Sequence, residues 1–152
     1  MTITAEKWLS HWQGNRNLTR RAIERFPEDQ LFTFSIGGMR TFGDIVKELL
    51  ALAGPGLEEI VTGVQQKFSE ESPYATKEEL LAQWDKDTEK INELWAQLPA
   101  ERYKDTIKLF GAYEDTVQNT LFYFVENEIH HRGQGFVYLR ALGIEPPFFW
   151  ER

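Results

Sequence analysis

The chain has 152 residues, of which 41% are hydrophobic and 27% charged, and its net charge is −7. This composition is typical of a folded globular protein, here expected as one domain over residues 1–152, and an acidic chain without a basic stripe argues against nucleic-acid binding. Cysteine is absent, which excludes disulfides and thiolate metal sites, and without a signal-peptide pattern or an apolar run of about 18 residues we expect a cytoplasmic protein with no membrane span.

The first predicted helix runs from about Thr4, a suitable N-cap, to Phe26. Pro27 ends it, because proline disfavours the helical conformation in the residue before it. Apolar side chains recur every three or four residues and so share one face of this helix: Trp8, Trp12, Leu18, Ala22 and Phe26. A loop punctuated by the pair Gly37-Gly38 follows.

The second predicted helix begins after Thr41, which is placed to cap it together with Asp44 three residues further on. Apolar residues continue at helical spacing as far as Val64. Pro55 lies within this pattern in the sequence Ala-Gly-Pro-Gly, and we expect a kink there because proline removes one backbone hydrogen bond.

Two further helices follow. Thr76 and Glu79 form the capping-box pattern T-x-x-E before a third helix that ends at Pro99. Residues 105–115 are expected to form an ordered connection of uncertain form, and no convincing strand is predicted anywhere in the chain. Thr116 then caps a long fourth helix that ends near Gly143, a residue suited to the left-handed position after a helix. Four amphipathic helices joined by modest loops predict an all-α four-helix bundle.

Aromatic residues are unusually frequent, with five tryptophans, five tyrosines and eleven phenylalanines. Part of this set must form the core. The C-terminal sequence PPFFW leaves Phe148, Phe149 and Trp150 to be covered, either by packing across one end of the bundle or by a partner, most simply a second copy of the chain.

The residues best suited to catalysis or metal binding lie on the fourth helix, in the sequence ENEIHHRGQG. His131 shares a face with Asn127, four residues earlier, and with Glu128, three residues earlier. Glu128 and His131 form a Glu-x-x-His pair, but a di-iron bundle needs two such motifs and the chain has one. A mononuclear site would need a ligand from another helix, for which Glu48 is a candidate. The periodicity by itself favours the alternative, a glutamate that contacts its neighbours or water and has no special role.

Other catalytic signatures are missing. The chain contains neither G-x-S-x-G nor S-x-x-K, which are patterns of serine nucleophiles. No G-K-[ST] follows the glycine pair at 37–38, so this loop is not a phosphate-binding loop. The residues alone therefore predict a helical bundle with a polar cleft near His131.

The last helix and its C-terminal extension resemble the signature of the DinB-like family of bacterial proteins, the damage-inducible group. The matching segments are His-Arg-Gly-Gln at 131–134, Tyr-Leu-Arg at 138–140 and Gly-Ile followed by Pro-Pro at 143–147. The sequence MRTFGDIVKELL at 39–50 resembles the second helix of the family, and KLFG at 108–111 is also similar. The resemblance covers nearly the whole chain and is most specific in the last 30 residues.

This resemblance implies a four-helix bundle, often a homodimer, with a divalent metal such as zinc or nickel held by three histidines. Carried over to this chain, the three positions are Glu48, Asn127 and His131, of which one is a histidine. A carboxylate is a common replacement for a histidine ligand, whereas a neutral amide oxygen suits calcium better than zinc. The altered triad is therefore expected to bind a transition metal weakly.

Three functions stay open at this point. In the first, the altered site is lost or weak as a metal site and binds a small molecule. In the second, the chain is a divalent-metal-dependent hydrolase or a thiol S-transferase, like the bacillithiol and mycothiol enzymes of the family. Glu128 would then be the catalytic proton acceptor. In the third, the protein has no enzymatic activity and works as a dimeric interaction module through its aromatic tail.

Overall fold

The computed structural model describes residues 3–152, which form a bundle of four long helices with a small hairpin at one end. The elements in chain order are α1 (Ala5–Arg25), α2 (Glu28–Leu31), α3 (Phe42–Thr62), α4 (Lys77–Trp95), a 3-10 helix (Ala100–Lys104), β1 (Thr106–Leu109), β2 (Tyr113–Thr116) and α5 (Val117–Ala141). Helices α1 and α3 each pack against both α4 and α5, so α1 and α3 lie on one diagonal of the bundle. The predicted all-α four-helix bundle is confirmed.

Each long helix begins after a threonine whose side-chain oxygen accepts a hydrogen bond from the backbone three residues further on. The predicted caps are confirmed at Thr4, Thr41, Thr76 and Thr116. The end of α5 is also the predicted one. Gly143 adopts a left-handed φ of 76°, and the Ile144 N–H donates to the carbonyl of Leu139 over 2.8 Å, as in a Schellman motif.

The helix α3 continues through Pro55 to Thr62, so the proline does not end it. Gly63, with a left-handed φ of 71°, stops the helix just before the predicted limit at Val64. Proline removes a single intrahelical hydrogen bond. The residues on either side of it stay anchored in the bundle, since Ala53 and Leu57 are both buried.

The connection before α5 contains two strands, so the expectation that it has none is wrong. Strands β1 and β2 pair antiparallel, with Thr106 opposite Thr116 and Leu109 opposite Tyr113. Gly111, at a φ of 68°, allows the tight turn between them. The alternation in Thr-Ile-Lys-Leu is a strand signal, but four residues are too few to separate a strand from an irregular loop by pattern.

Two hydrophobic clusters fill the bundle, and a layer of buried charge lies between them. One cluster surrounds Trp12, Trp95 and Phe124, and the other surrounds Phe42 and Trp84. Along α1, α4 and α5 several of the buried residues between the two clusters are polar. The charged ones, called the buried charge layer below, are Arg16, Asp87, Glu128 and Arg132, each at most 6% exposed.

The aromatic tail does not pack across the end of the bundle. Phe148, Phe149 and Trp150 are 48%, 64% and 62% exposed. Phe148 stacks on Trp150 and Phe149 meets Trp150 edge-on, while Pro146 and Pro147 before them are buried. A partner surface at this tail stays a prediction. Within residues 3–152, no helix is both long and apolar enough to cross a membrane.

Candidate functional site

The predicted residues Glu48, Asn127 and His131 meet at the interface of α3 and α5. Glu48 lies on α3 and is half-buried. Asn127 and His131 lie one turn apart on α5. The Nε2 atom of His131 lies 3.1 Å from Oε1 of Glu48, and the amide nitrogen of Asn127 donates to the same oxygen over 3.4 Å. The structure therefore brings together the three positions that the family resemblance implied.

Two further residues of this cluster were missed. Arg40, in the loop before α3, donates to Oε2 of Glu48 and forms a second ion pair with Glu70 over 3.0 Å. Glu70 belongs to the segment 63–76 between α3 and α4. Neither Arg40 nor Glu70 lies on a helix, so helical periodicity could not connect them with Glu48. The sequence pointed to Arg40 only through its place in MRTFGD, which resembles the second helix of the family.

The contacts within the cluster shift the pKa values of Glu48 and His131 in opposite directions. Hydrogen bonding from His131, and then from Arg40, lowers the pKa of Glu48 to about 2 although burial opposes the change. The hydrogen bond with Glu48 raises the pKa of His131, and its contact with Gln134 acts in the same direction. Because an ionised carboxylate can only accept, the Nε2 atom of His131 must carry the hydrogen of this contact.

A cavity of about 750 Å³ opens beside Glu48, between α3, α5, the hairpin and segment 63–76. We call it the groove. Its wall contains Arg40, Glu48 and Glu70 from the cluster, together with three aromatic side chains, Phe68, Tyr113 and Tyr123. Its volume lies within the range of small-molecule sites, about 300–1,000 Å³.

Glu128, the candidate proton acceptor, points elsewhere. It is 2% exposed and accepts a hydrogen bond of 2.6 Å from the hydroxyl of Thr19 on α1. Arg132 lies 3.9 Å from it and donates to the Asn15 carbonyl and the Thr19 hydroxyl, both over 3.1 Å. Glu128 is therefore part of the buried charge layer, and the structure does not bring it into contact with Glu48 or His131.

The donor set at Glu48 does not fit a zinc or nickel ion. Both oxygens of Glu48 already accept hydrogen bonds, and the Nε2 atom of His131 uses its hydrogen toward Glu48 rather than a lone pair toward a metal. The guanidinium of Arg40 forms an ion pair with the other oxygen of the same carboxylate. Within residues 3–152, no group of three or more histidine, aspartate or glutamate side chains is arranged to hold a metal ion.

Family models match residues 1–151 of the chain to the DinB family. The chain belongs to the DinB family. The uncharacterised protein YjoA of Bacillus subtilis (strain 168) is 28% identical to it over 147 residues, which is 95% of each chain. The crystal structure of YjoA, described as DinB-like, superposes with a TM-score of 0.76 at 26% identity, over 96% of this chain and 99% of that one. The resemblance predicted from the last helix is confirmed.

Two more distant structures support the fold alone. A DinB-like protein from Bacillus cereus ATCC 10987 gives a TM-score of 0.77 at 15% identity, over 99% of this chain and all of that chain. A mycothiol-dependent maleylpyruvate isomerase gives 0.62 at 13% identity, over 89% of this chain and 64% of the other. At these identities the shared bundle says nothing about a shared substrate.

Proposed function

We propose that this DinB family member binds a small molecule in the groove without a metal ion. The observation that carries the proposal is the carboxylate of Glu48, which accepts from Arg40 on one oxygen and from His131 and Asn127 on the other. A metal held by both Glu48 and His131 would have to replace the hydrogen bond between them. The same contacts hold the carboxylate in a fixed position on the groove wall.

The cluster suits a binding role because its polar atoms are held in place before a ligand arrives. Asn127 and His131 fix one oxygen of Glu48 from α5, and Arg40 links the other oxygen to Glu70 in the segment 63–76. A ligand therefore meets side chains that lose little further freedom on binding, which lowers the entropic cost of association. The aromatic wall supplies the apolar contact that small-molecule sites require.

The first test is elemental analysis of tag-free protein, purified without nickel resin and then offered zinc, nickel, manganese and calcium in turn. We expect metal contents well below one ion per chain, with no change of melting temperature on adding a chelator. A near-stoichiometric ion that is lost in His131→Ala but kept in His130→Ala would overturn the proposal. The metal-dependent hydrolase or thiol transferase would then be the better function.

The second test is a thermal-shift screen of small polar compounds, with the hits mapped by amide chemical shifts. Compounds that stabilise the protein are expected to perturb Asn119 and Tyr123 on the groove wall. Hits that map instead to the opposite side of the bundle, for example to Thr88 on α4, would place the ligand site elsewhere.

A further inference from the structure

The charges around the groove are unbalanced. Four carboxylates line it, and Arg40 is the one cationic side chain among its lining residues. That guanidinium is already shared between Glu48 and Glu70. The other two carboxylates, Glu114 and Asp115, form no ion pair within residues 3–152, although Glu114 lies opposite Lys108 in the hairpin. Asp115 accepts from the neutral side-chain amide of Asn119 over 2.8 Å and from the backbone N–H of Thr116 over 2.7 Å.

The aromatic wall adds a second feature that acts in the same direction. Tyr113 and Tyr123 are 63% and 50% exposed, and Phe68 lines the groove beside them. The faces of these rings carry negative quadrupole potential and attract cations. Burial raises the pKa of the Tyr123 hydroxyl, and the negative charge of Glu48 raises it further.

We infer that the ligand of the groove is an organic cation, an amine or a guanidine with an apolar body. This inference rests on the proposed function and names its ligand class. The cationic group would lie near Glu114 and Asp115, and the apolar body would lie against the tyrosine rings. The cavity of about 750 Å³ is far larger than a bare metal ion needs.

An anionic ligand fits the same site poorly. It would have to compete with Glu70 for Arg40 and would lie close to Glu48. Like charges brought together in a partly enclosed cavity repel each other more strongly than they do in water. A neutral ligand avoids this repulsion but leaves the excess negative charge of the groove lining uncompensated.

The test compares three probes that share one ring and differ in charge: benzylamine, benzyl alcohol and benzoate. Binding is followed by amide chemical shifts of the full-length wild-type protein at low and high salt. We expect benzylamine to perturb Tyr113 and Tyr123 and to bind about tenfold more tightly than benzyl alcohol, as one strong charge interaction gives. We expect its affinity to fall at high salt, and benzoate not to bind.

Two charge-neutralising variants locate the interaction. Glu114→Gln and Asp115→Asn should each weaken benzylamine binding about three- to tenfold, whereas Glu101→Gln, an equal charge change on the 3-10 helix, should leave it unchanged. A loss in all three variants would show a general charge effect and would overturn the inference, as would tighter binding of benzyl alcohol or benzoate.

The result separates the two proposals. Binding of the neutral or anionic probe in the groove would refute the cationic ligand and leave metal-free small-molecule binding intact. Binding of none of the probes would also refute the cationic class, while the metal analysis decides the proposed function independently. Calcium chloride serves as a fourth probe, because calcium that displaced benzylamine at equal ionic strength would show that the carboxylates hold a metal ion instead.

Discussion

The groove cluster and the buried charge layer contain the same kinds of side chain in two different environments. The groove cluster pairs Glu48 with Arg40 and His131 at the wall of an open cavity. The buried charge layer pairs Arg16 with Asp87 over 3.1 Å, with side chains 1% and 5% exposed. The first can meet a ligand, whereas the second is closed off by two hydrophobic clusters.

The pKa values of the carboxylates are set mainly by hydrogen bonds in the groove cluster and mainly by burial in the buried charge layer. In the groove, hydrogen bonds from His131 and Arg40 outweigh the effect of burial and lower the pKa of Glu48. In the buried layer, loss of solvent is the largest effect and raises the pKa of both Asp87 and Glu128, although their cationic neighbours oppose it. An acid–base pair in a bundle core is therefore not by itself a sign of chemistry; access to solvent separates the two regions.

The largest expected effect comes from breaking the buried layer. Asp87→Asn leaves the guanidinium of Arg16 buried without its counter-charge, and we expect the free energy of unfolding to fall by about 3–5 kcal/mol. Urea denaturation measures it. The matched control is Asp85→Asn on the same helix, which removes an exposed pair with Arg20 and should cost less than about 1 kcal/mol. Equal losses in the two variants would contradict the distinction between the regions.

A smaller effect is expected from adding a methyl group next to Asp87. A Cβ atom at Gly54 would lie 1.9 Å from Oδ1 of Asp87, whereas nothing lies within 4 Å of one at Gly133. We expect Gly54→Ala to destabilise the protein by about 1–3 kcal/mol. Gly133→Ala should stabilise it by up to about 1 kcal/mol, because alanine favours the helix. Thermal unfolding of both variants measures the contrast, and a stabilising Gly54→Ala would show that the charge layer adapts easily.

The groove cluster should reveal itself by pH dependence. The pKa of His131 is raised from its ordinary 6.5, so its contribution to stability is complete below pH 6.5 and is lost as the pH rises through the folded-state pKa. The contribution of Glu48 is present above 4.5 and lost as the pH falls toward 2. His131→Gln should therefore cost about 1–2 kcal/mol near pH 5.5 and less near pH 8.5.

Urea unfolding at both pH values tests this expectation, with His130→Gln as the control. His130 is exposed on the same helix and its substitution should have an effect that does not follow this profile. A cost for His131→Gln that grows with pH would contradict the charged pair. Titration of the His131 ring by NMR should give a pKa above that of an unperturbed histidine.

The smallest effect on folding is expected at the aromatic tail, which contains neither kind of charge pair. Phe149→Ser and Trp150→Ser change side chains that are more than half exposed, so the free energy of unfolding of the monomer should change by less than about 0.5 kcal/mol. Sedimentation velocity of the same variants tests the predicted homodimer. A loss of dimer would assign the tail to the interface, and an unchanged oligomeric state would exclude it.

The sequence predicted the helices better than the connections, because the signals for helices are local. The capping pair Thr76–Glu79 and the C-terminal Gly143 involve residues within a few positions of one another. The hairpin was missed because its stability depends on pairing across Gly111 and on burial of Leu109 against α3 and α5. Its strands are four residues long, which is too short for the alternation of polar and apolar residues to identify them.

The candidate site was predicted in part for the same reason. Helical spacing placed Asn127 and His131 on one face, and the family resemblance connected them with Glu48. Spacing also placed Glu128 beside His131, yet Glu128 lies three residues away around the helix and turns to Thr19 on α1. A separation of three residues permits a shared face but does not decide which neighbouring helix each side chain meets.

The sequence by itself thus determined the helix caps, the apolar faces, the bundle and the family, because each depends on residues close together in the chain or on a motif quoted from it. The tertiary structure alone decided that Arg40 and Glu70 join Glu48 across separate loops. It also decided that Glu128 of α5 is buried in the core, whereas Glu48 of α3 lies on the wall of the groove. These outcomes depend on how helices and loops pack together, which sets the solvent access and the neighbouring charges of every ionised group.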